Sequence, residues 1–255
     1  MPHYLSPGTT HSVPRVLAHR GLAVAALENT AAAFAAALDA GAIFIETDVQ
    51  VSADGVAVLW HDPDLRRFDG SRTNIAATTW AELQLRTGPG AEPLQTLESA
   101  LSQFPTARLN IDLKVEPALE PVIQAVTAAA ATERVLLTSF ADARRRRAAA
   151  RLPGVATSTG MSAVFLCVLA QALPQRARNR LWQRALGGAV ALQVPQRYVG
   201  LPIVTRRFVH TAHEQQVEVH VWTVNEPQQM QQLVALGVDG IVTDRADIAM
   251  SDLHN

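Results

Sequence analysis

Three carboxylates in this sequence are placed where they could share one cation. Glu46 and Asp48 stand two residues apart near the end of the predicted strand Ala42–Val49, so their side chains project to the same face of a sheet. Two such carboxylates repel each other unless a cation or a shared proton lies between them. Asp112, near the end of the predicted strand Arg108–Leu113, completes an all-oxygen set that suits Mg²⁺ or Ca²⁺.

Two histidines and two basic residues lie at the ends of the same kind of apolar run. His19 and Arg20 follow the first run, His61 follows the return arm of a hairpin, and Lys114 follows Asp112 by two residues. Two imidazoles that titrate near neutral pH can serve as acid and base in one reaction. Arg20 and Lys114 supply fixed positive charge, which suits a phosphate group. The alternative is structural, with the two cations paired to the acids and each histidine held by a hydrogen bond.

Alternating strands and helices must position these groups. Eight short apolar runs alternate with helical segments, which implies a parallel sheet, and eight such units in 255 residues predict a TIM (β/α)8 barrel. An open doubly wound sheet would need a glycine-rich phosphate motif after the first strand, and His-Arg-Gly-Leu-Ala-Val is not one. The predicted strands are Arg15–Ala18, Ala42–Val49, Arg108–Leu113, Arg134–Thr138, Val155–Ser158, Ala189–Gln193, Val217–Thr223 and Gly240–Thr243.

Two segments fall outside this alternation. Residues 1–14 are polar and rich in proline and glycine, and we predict a flexible N-terminal tail followed by one barrel domain over 15–255. Residues 62–106 are too long for a plain strand–helix connection. They predict a short insertion after strand 2, over one end of the fold.

Composition limits the classes of partner. The net charge is −1, so the chain as a whole offers no basic field for nucleic acid or an anionic membrane, and anion binding must be local. The longest apolar run, Met161–Leu173, is shorter than the ~20 residues that span a bilayer, so no integral membrane segment is expected. The one cysteine, Cys167, excludes a disulfide within the chain, and we predict a cytoplasmic protein.

A series of motifs resembles the glycerophosphodiester phosphodiesterase family. They occur in the family's order and cover nearly the whole chain from Leu17 onward: HRG at 19–21, ENT at 28–30, ETDVQVSADG at 46–55, HD at 61–62, PLQTLESAL at 93–101, NIDLK at 110–114, VHVWTVNEP at 219–227 and GVDGIVTDRAD at 237–247. Any one motif is weak, whereas the ordered set is specific.

The resemblance implies a TIM barrel with a single divalent cation, Mg²⁺ or Ca²⁺, that hydrolyses a small-molecule glycerophosphodiester to sn-glycerol 3-phosphate and an alcohol. It implies metal ligation by Glu46, Asp48 and Asp112, acid–base catalysis by His19 and His61, and substrate binding by Arg20, Lys114 and Trp222. The family usually carries glutamate where this chain has Asp112, which is one methylene shorter. That departure bears on metal affinity and preference.

Two other functions stay open on the sequence. A lysophospholipase D or sphingomyelinase D-like enzyme would use the same site on a larger lipid, and it needs an apolar groove, for which Phe68 and Trp80 of the insertion are candidates. A non-catalytic barrel could use the same charged residues to bind a phosphodiester without hydrolysing it. Two histidines, three acids and a lysine together argue against that second possibility.

Overall fold

Eight parallel strands curve round a common axis in the computed structural model, which describes residues 3–5 and 13–254. The twelve strands are β1 (Arg15–His19), β2 (Phe44–Val51), β3 (Ala57–Leu59), β4 (Gln95–Thr96), β5 (Arg108–Leu113), β6 (Val135–Thr138), β7 (Ala156–Thr157), β8 (Ala191–Pro195), β9 (Arg197–Tyr198), β10 (Leu201–Pro202), β11 (Glu218–Trp222) and β12 (Gly240–Thr243). The ten α-helices are α1 (Ala31–Asp39), α2 (Trp80–Leu83), α3 (Leu97–Gln103), α4 (Leu119–Ala128), α5 (Asp142–Arg151), α6 (Met161–Ala170), α7 (Gln175–Leu186), α8 (Arg206–Glu214), α9 (Pro227–Ala235) and α10 (Ala246–Leu253).

The barrel strands follow the order β7-β6-β5-β2-β1-β12-β11-β8. The circle closes between β7 and β8 through a parallel bridge of Ser158 with Ala191, where Thr159 N–H donates to the Ala191 carbonyl at 3.1 Å. The predicted TIM barrel is therefore confirmed. Because parallel strands all point the same way, their carboxyl ends meet at one rim.

The core has two layers. One lies inside the barrel, where apolar residues such as Leu17, Phe44 and Leu136 form a cluster that includes Tyr4. The larger layer lies between the barrel and the surrounding helices, for example Ile45 of β2 against Phe34 of α1. Strands buried on both faces produce near-continuous apolar runs, which explains why the strands could be predicted from the sequence.

A charged cluster fills the N-terminal end of the barrel. Arg15 of β1 donates from Nε and Nη2 to the two carboxylate oxygens of Glu218 on β11, each at 2.9 Å. His220 Nε2 lies 2.9 Å from Glu218 Oε2, and the His220 side chain is fully buried. Arg15 and Glu218 thus compensate each other's charge at a largely buried position.

The N-terminal segment differs in part from the predicted flexible tail. Residues 1–2 and 6–12 lie outside the described residues, whereas His3–Leu5 form a short 3-10 turn. Tyr4 is buried, with its ring 5.4 Å from that of Phe44, and its carbonyl accepts a hydrogen bond from Arg108. The content of proline and glycine did not predict that the Tyr4 ring packs inside the barrel.

The insertion after strand 2 is present and has its own small core. Val58 of β3 pairs with Thr96 of β4, and Trp60 packs edge-on against Phe68 at 5.5 Å between ring centroids. Two further elements lie outside the predicted alternation of strands and helices. The region between β7 and β8 contains two helices, α6 and α7, separated by residues 171–174, and the β9–β10 hairpin follows β8. Within the part of the chain described, no helix combines the length and apolar character needed to cross a membrane.

Candidate active site

A pocket of about 220 Å³ opens at the C-terminal rim of the barrel. All eight residues selected from the sequence line it: His19, Arg20, Glu46, Asp48, His61, Asp112, Lys114 and Trp222. Glu46 and Asp48 come from within β2, and the other six come from the ends of β1, β5 and β11, from the residues directly after β1 and β5, and from the segment after β3. The expectation that strand ends gather them is thereby met for these six.

The three acids stand on two adjacent strands. Asp48 of β2 pairs in register with Asp112 of β5, so their side chains leave neighbouring backbone positions on the same face. Glu46 lies two residues before Asp48, and all three side chains are buried. Direct strand pairing brings the shorter Asp112 side chain close to Asp48.

Two cations compensate Asp48. Lys114 Nζ lies 2.7 Å from both Asp48 Oδ1 and Asp112 Oδ2, and Arg20 Nε lies 2.9 Å from Asp48 Oδ2. Burial would raise the pKa of Asp48, but Lys114 and Arg20 outweigh it and lower that pKa. Burial likewise opposes the charge of Lys114, yet Asp112 and Asp48 raise its pKa to about 12.

Glu46 and Asp112 are not fully compensated. Burial, followed by repulsion from Asp48, raises the pKa of Glu46 to about 8. Burial also raises the pKa of Asp112 despite the nearby Lys114, and Asp112 Oδ1 is buried without a hydrogen-bond partner. Buried acceptors of this kind are costly unless something binds them. The site therefore has spare capacity for a cation.

The donor set fits a divalent cation in chemical type, because all three side chains offer carboxylate oxygens. Across residues 3–5 and 13–254, no three His, Cys, Asp or Glu side chains already converge on one point as a ready cage. Lys114 Nζ bridges two of the three acids instead. Binding through all three would require the Lys114 ammonium to move aside.

Each pocket histidine is held by an aspartate. His19 Nδ1 lies 2.6 Å from Asp244 Oδ1, and His61 Nδ1 lies 2.7 Å from Asp62 Oδ1. Burial lowers the pKa of His19, but Asp244 and Glu46 raise this pKa by more than burial lowers it, so the net shift is upward. An aspartate on one ring nitrogen fixes ring orientation and tautomer, which leaves Nε2 free for proton transfer.

Asp244 is a residue whose role the sequence does not reveal. It lies at the end of β12, and Asn225 Nδ2 donates to its second carboxylate oxygen at 2.7 Å. The sequence places Asp244 at a strand end. Its contact with His19, 225 positions earlier, depends on the closure of the barrel.

The loop after β1 explains two of the sequence motifs. Arg20 has a positive φ of 59° and donates from Nη1 to Glu28 at 2.9 Å. Asn29 is buried, with its Oδ1 accepting from Thr47 at 2.7 Å and its Nδ2 donating to Asp48 at 3.3 Å. The HRG and ENT motifs thus form a single brace, in which Arg20 and Asn29 both contact the Asp48 carboxylate.

Gly21 makes that brace possible. Its φ is +86°, and a Cβ at this position would lie 2.7 Å from the backbone carbon of Ala33. A larger residue would push the start of α1 away from the loop.

One wall of the pocket is apolar. Trp222 stands 6.3 Å from the ring of Phe140, which is 58% exposed, and Met161 of α6 lies beside them on the pocket surface. Lys114 Nζ sits 5.8 Å from the Phe140 ring centroid, within cation–π range. The sequence singled out only Trp222 of these three residues.

The floor carries polar atoms without partners. Both polar side-chain atoms of Asn110 on β5 are buried and unpartnered, as are Gln193 Nε2 on β8 and Thr159 Oγ1 after β7. All three residues line the pocket. Such groups are available to hydroxyl groups of a ligand or to water.

Comparisons with known proteins point to one family. The model of the "Glycerophosphoryl diester phosphodiesterase family" matches residues 19–248. A protein of Mycobacterium tuberculosis named "Probable glycerophosphodiester phosphodiesterase 2" is 37% identical over 234 residues, which cover 91% of this chain and 88% of the relative.

Solved structures share the fold. A phosphodiesterase of Oleispira antarctica, in complex with the product sn-glycerol-3-phosphate, is similar at a TM-score of 0.79 and 24% identity, covering 95% of this chain and 98% of that one. A glycerophosphodiester phosphodiesterase of Agrobacterium tumefaciens is similar at a TM-score of 0.76 and 21% identity, covering 95% and 100%.

Proposed function

Since the chain belongs to the glycerophosphoryl diester phosphodiesterase family, we propose that its pocket hydrolyses a glycerophosphodiester to sn-glycerol 3-phosphate and an alcohol. One observation carries the proposal. Two histidines, each oriented by an aspartate, share a 220 Å³ pocket with three buried acids and two cations. The Oleispira antarctica phosphodiesterase that binds sn-glycerol-3-phosphate has the same fold, which supports the choice of product.

His19 and His61 move the protons in this proposal. One Nε2 accepts the proton of the attacking hydroxyl, and the other donates a proton to the oxygen of the leaving alcohol. Asp244 and Asp62 hold the two rings in place. A neighbouring glycerol hydroxyl as nucleophile gives a cyclic phosphate first, whereas water gives the monoester directly, and detection of the cyclic phosphate during turnover distinguishes the two routes.

The charged wall binds the phosphate. Arg20 and Lys114 are the positive groups that face the pocket beside the acids. A divalent cation held by Glu46, Asp48 and Asp112 would neutralise phosphate charge and lower the pKa of a coordinated hydroxyl. We propose Mg²⁺ or Ca²⁺, because the donors are all oxygen. The apolar wall of Trp222 and Phe140 then faces the organic part of the substrate.

Hydrolysis of glycerophosphocholine tests the proposal. We expect activity with Mg²⁺ or Ca²⁺ that is lost on exhaustive chelation by EDTA. His19→Ala and His61→Ala should each lower kcat by at least roughly 10²-fold. His213→Ala is the matched control, because His213 pairs with Asp239 outside the pocket and is 44% exposed. If chelation has no effect on turnover, the metal has no role in the mechanism. If a histidine variant turns over at nearly the wild-type rate, that histidine has no role in it either.

Activity on a larger lipid is the second candidate. The insertion does not supply the groove that the sequence suggested, because Phe68 is buried in its own cluster and Trp80 packs against that cluster away from the pocket. The apolar wall of Phe140, Met161 and Trp222 takes that place and favours an alcohol with apolar surface. Comparing lysophosphatidylcholine with glycerophosphocholine as substrates decides between the two activities. Metal binding without turnover of either would indicate a binding protein.

A further inference from the structure

Five bulky apolar residues stand exposed on the helix that begins at the pocket and on the hairpin that packs against this helix. They belong to α6 and to the β9–β10 hairpin: Phe165, Leu169, Tyr198, Val199 and Leu201, which we call the apolar ridge. Val199 is 85% exposed, Leu201 is 72% exposed and Leu169 is 71% exposed. Single exposed aliphatic residues are ordinary, but a contiguous group marks an interaction site.

The ridge is one surface. The Phe165 and Tyr198 rings pack edge-on at 4.9 Å, which joins helix to hairpin. Tyr198 pairs with Leu201 across the hairpin, and Val199 lies in its turn with φ +47°. Met161 begins the same helix and lines the pocket. The ridge and the pocket are therefore connected through α6.

The segment of the chain that carries the ridge is basic in sequence. Residues 143–213 contain twelve arginines and no aspartate or glutamate. The whole-chain charge of −1, which predicted no basic field, conceals this segregation because the acids lie elsewhere. The correction matters for partners, since local field and not net charge governs association at a surface.

About half of these arginines are already compensated. Four of the five arginines of α5 pair with Asp142 or Glu116, the fifth pairs with Glu120, and Arg178 pairs with Glu214. The others have no carboxylate partner among the residues that the structure describes: Arg176, Arg180, Arg184, Arg197, Arg206 and Arg207. Arg197 belongs to the hairpin itself, and Arg206 and Arg207 open α8 directly after it.

We propose that the apolar ridge docks on the surface of an anionic lipid bilayer, with Val199 and Leu201 entering the headgroup region and the free arginines binding anionic lipids. Apolar tips flanked by basic residues are the combination that holds proteins in the membrane interface. Arginine stems extend so that the guanidinium reaches the lipid phosphates while the tip is buried. The proposal does not depend on which diester the pocket hydrolyses.

A second copy of this chain fits the ridge less well. A symmetric dimer through the ridge would bring Arg197 and Arg206 of both copies together, and like charges at short distance repel. Residues 143–213 contribute no acid to such an interface. The lipid surface supplies both the apolar layer and the negative charge.

Co-sedimentation with vesicles tests the proposal. We expect binding to vesicles of phosphatidylcholine and phosphatidylglycerol, little binding to phosphatidylcholine alone, and weaker binding at about 0.5 M NaCl, where charge is screened. The double variant Val199→Glu/Leu201→Glu should weaken binding at least roughly tenfold. Arg197→Gln/Arg206→Gln should weaken it several-fold and reduce the salt dependence.

The control is Leu85→Glu, which adds one glutamate in place of an exposed apolar residue at a position that is 81% exposed but lies in the insertion. It should bind vesicles as the wild type does. Turnover of water-soluble glycerophosphocholine, melting temperature and elution volume should not change in any of the variants, which shows that each is folded. Three results would overturn the proposal: no binding of the wild type to anionic vesicles, equal binding by the ridge variants, or a dimer that the ridge variants dissociate.

Discussion

Replacing Glu218 by glutamine should destabilise the barrel through its buried charged cluster. The Glu218 carboxylate receives two hydrogen bonds from Arg15 at 2.9 Å, and its side chain is 17% exposed. Glutamine keeps the shape of the side chain but removes the charge. Arg15 then keeps its charge at a site that is 6% exposed, without a carboxylate.

The size of the effect follows from the pKa. Burial raises the pKa of Glu218, but hydrogen bonds from His220 and Arg15 outweigh burial and lower it from 4.5 to about 2. A shift of that size corresponds to about 3 kcal/mol of stability in the ionised state. A lowered pKa stabilises the fold at pH values above 4.5, and the contribution disappears as the pH falls from 4.5 through about 2.

Urea unfolding measures the difference. At about pH 7, Glu218→Gln should unfold with a free energy about 3 kcal/mol lower than the wild type, which corresponds to a melting temperature roughly 6–12 °C lower. The difference should shrink as the pH falls below about 4. Glu226→Gln is the control, since Glu226 is exposed and forms no ion pair within the described part of the chain. A difference below about 1 kcal/mol at neutral pH, or one that does not change with pH, would refute the reasoning.

Three further changes test the site. Lys114→Met removes the ammonium that bridges Asp48 and Asp112 at 2.7 Å, so Mg²⁺ or Ca²⁺ should raise the melting temperature of the variant more than that of the wild type; equal shifts in a thermal-shift assay would place the ion elsewhere. Asn110→Leu removes a buried amide without partners, so the free energy of unfolding should stay equal or rise by about 1 kcal/mol while KM for glycerophosphocholine increases, and an unchanged KM would exclude Asn110 from substrate binding. Gly21→Ala places a Cβ 2.7 Å from the Ala33 backbone and should cost at least about 2 kcal/mol, whereas Gly70→Ala, with open space around it, should cost about 1 kcal/mol; similar losses by chemical denaturation would contradict the clash.

The strands were predictable because each is a short apolar run bounded by polar residues. Arg108–Leu113 and Gly240–Thr243 have the same limits in the structure as in the sequence prediction. Both lie in the middle of the parallel sheet, where burial on two faces leaves little room for polar residues. β7 is shorter than predicted, with Ala156–Thr157 in place of Val155–Ser158. The exact first and last residues of such a short strand cannot be predicted from its apolar run alone.

The charged part of the site was predictable for a related reason. His19 and Asp112 interrupt apolar strands close to their ends, and a parallel barrel brings such ends to one rim. Glu46 lies within β2, which runs beyond its pairing with β5 into the hairpin with β3. What the sequence could not provide is which of these groups touch. The Lys114 bridge and the contact of His19 with Asp244 depend on strand register and side-chain direction across the closed barrel.

Polar floor residues and surface features were missed for a different reason. Asn110 and Gln193 are single amides inside strands, and a lone amide in an apolar run resembles an ordinary satisfied core residue. The ridge was missed because apolar periodicity predicts burial, and Phe165 and Leu169 lie in a run that is apolar on every side. Only the packing of α6 shows that the face with Phe165 and Leu169 stays partly exposed.

The barrel is paired less extensively at its closure between β7 and β8 than between β2 and β5. β2 and β5 pair over six consecutive positions, whereas β7 meets β8 through one bridge flanked by two hydrogen bonds. Amide hydrogen exchange should therefore begin at Val190 and Thr159, ahead of the central strands. The three acids lie on the extensively paired strands β2 and β5, whereas Thr159, Gly160 and Met161 of the pocket lining follow the closure directly. We therefore expect the pocket to be rigid at its acids and more mobile at Thr159, Gly160 and Met161.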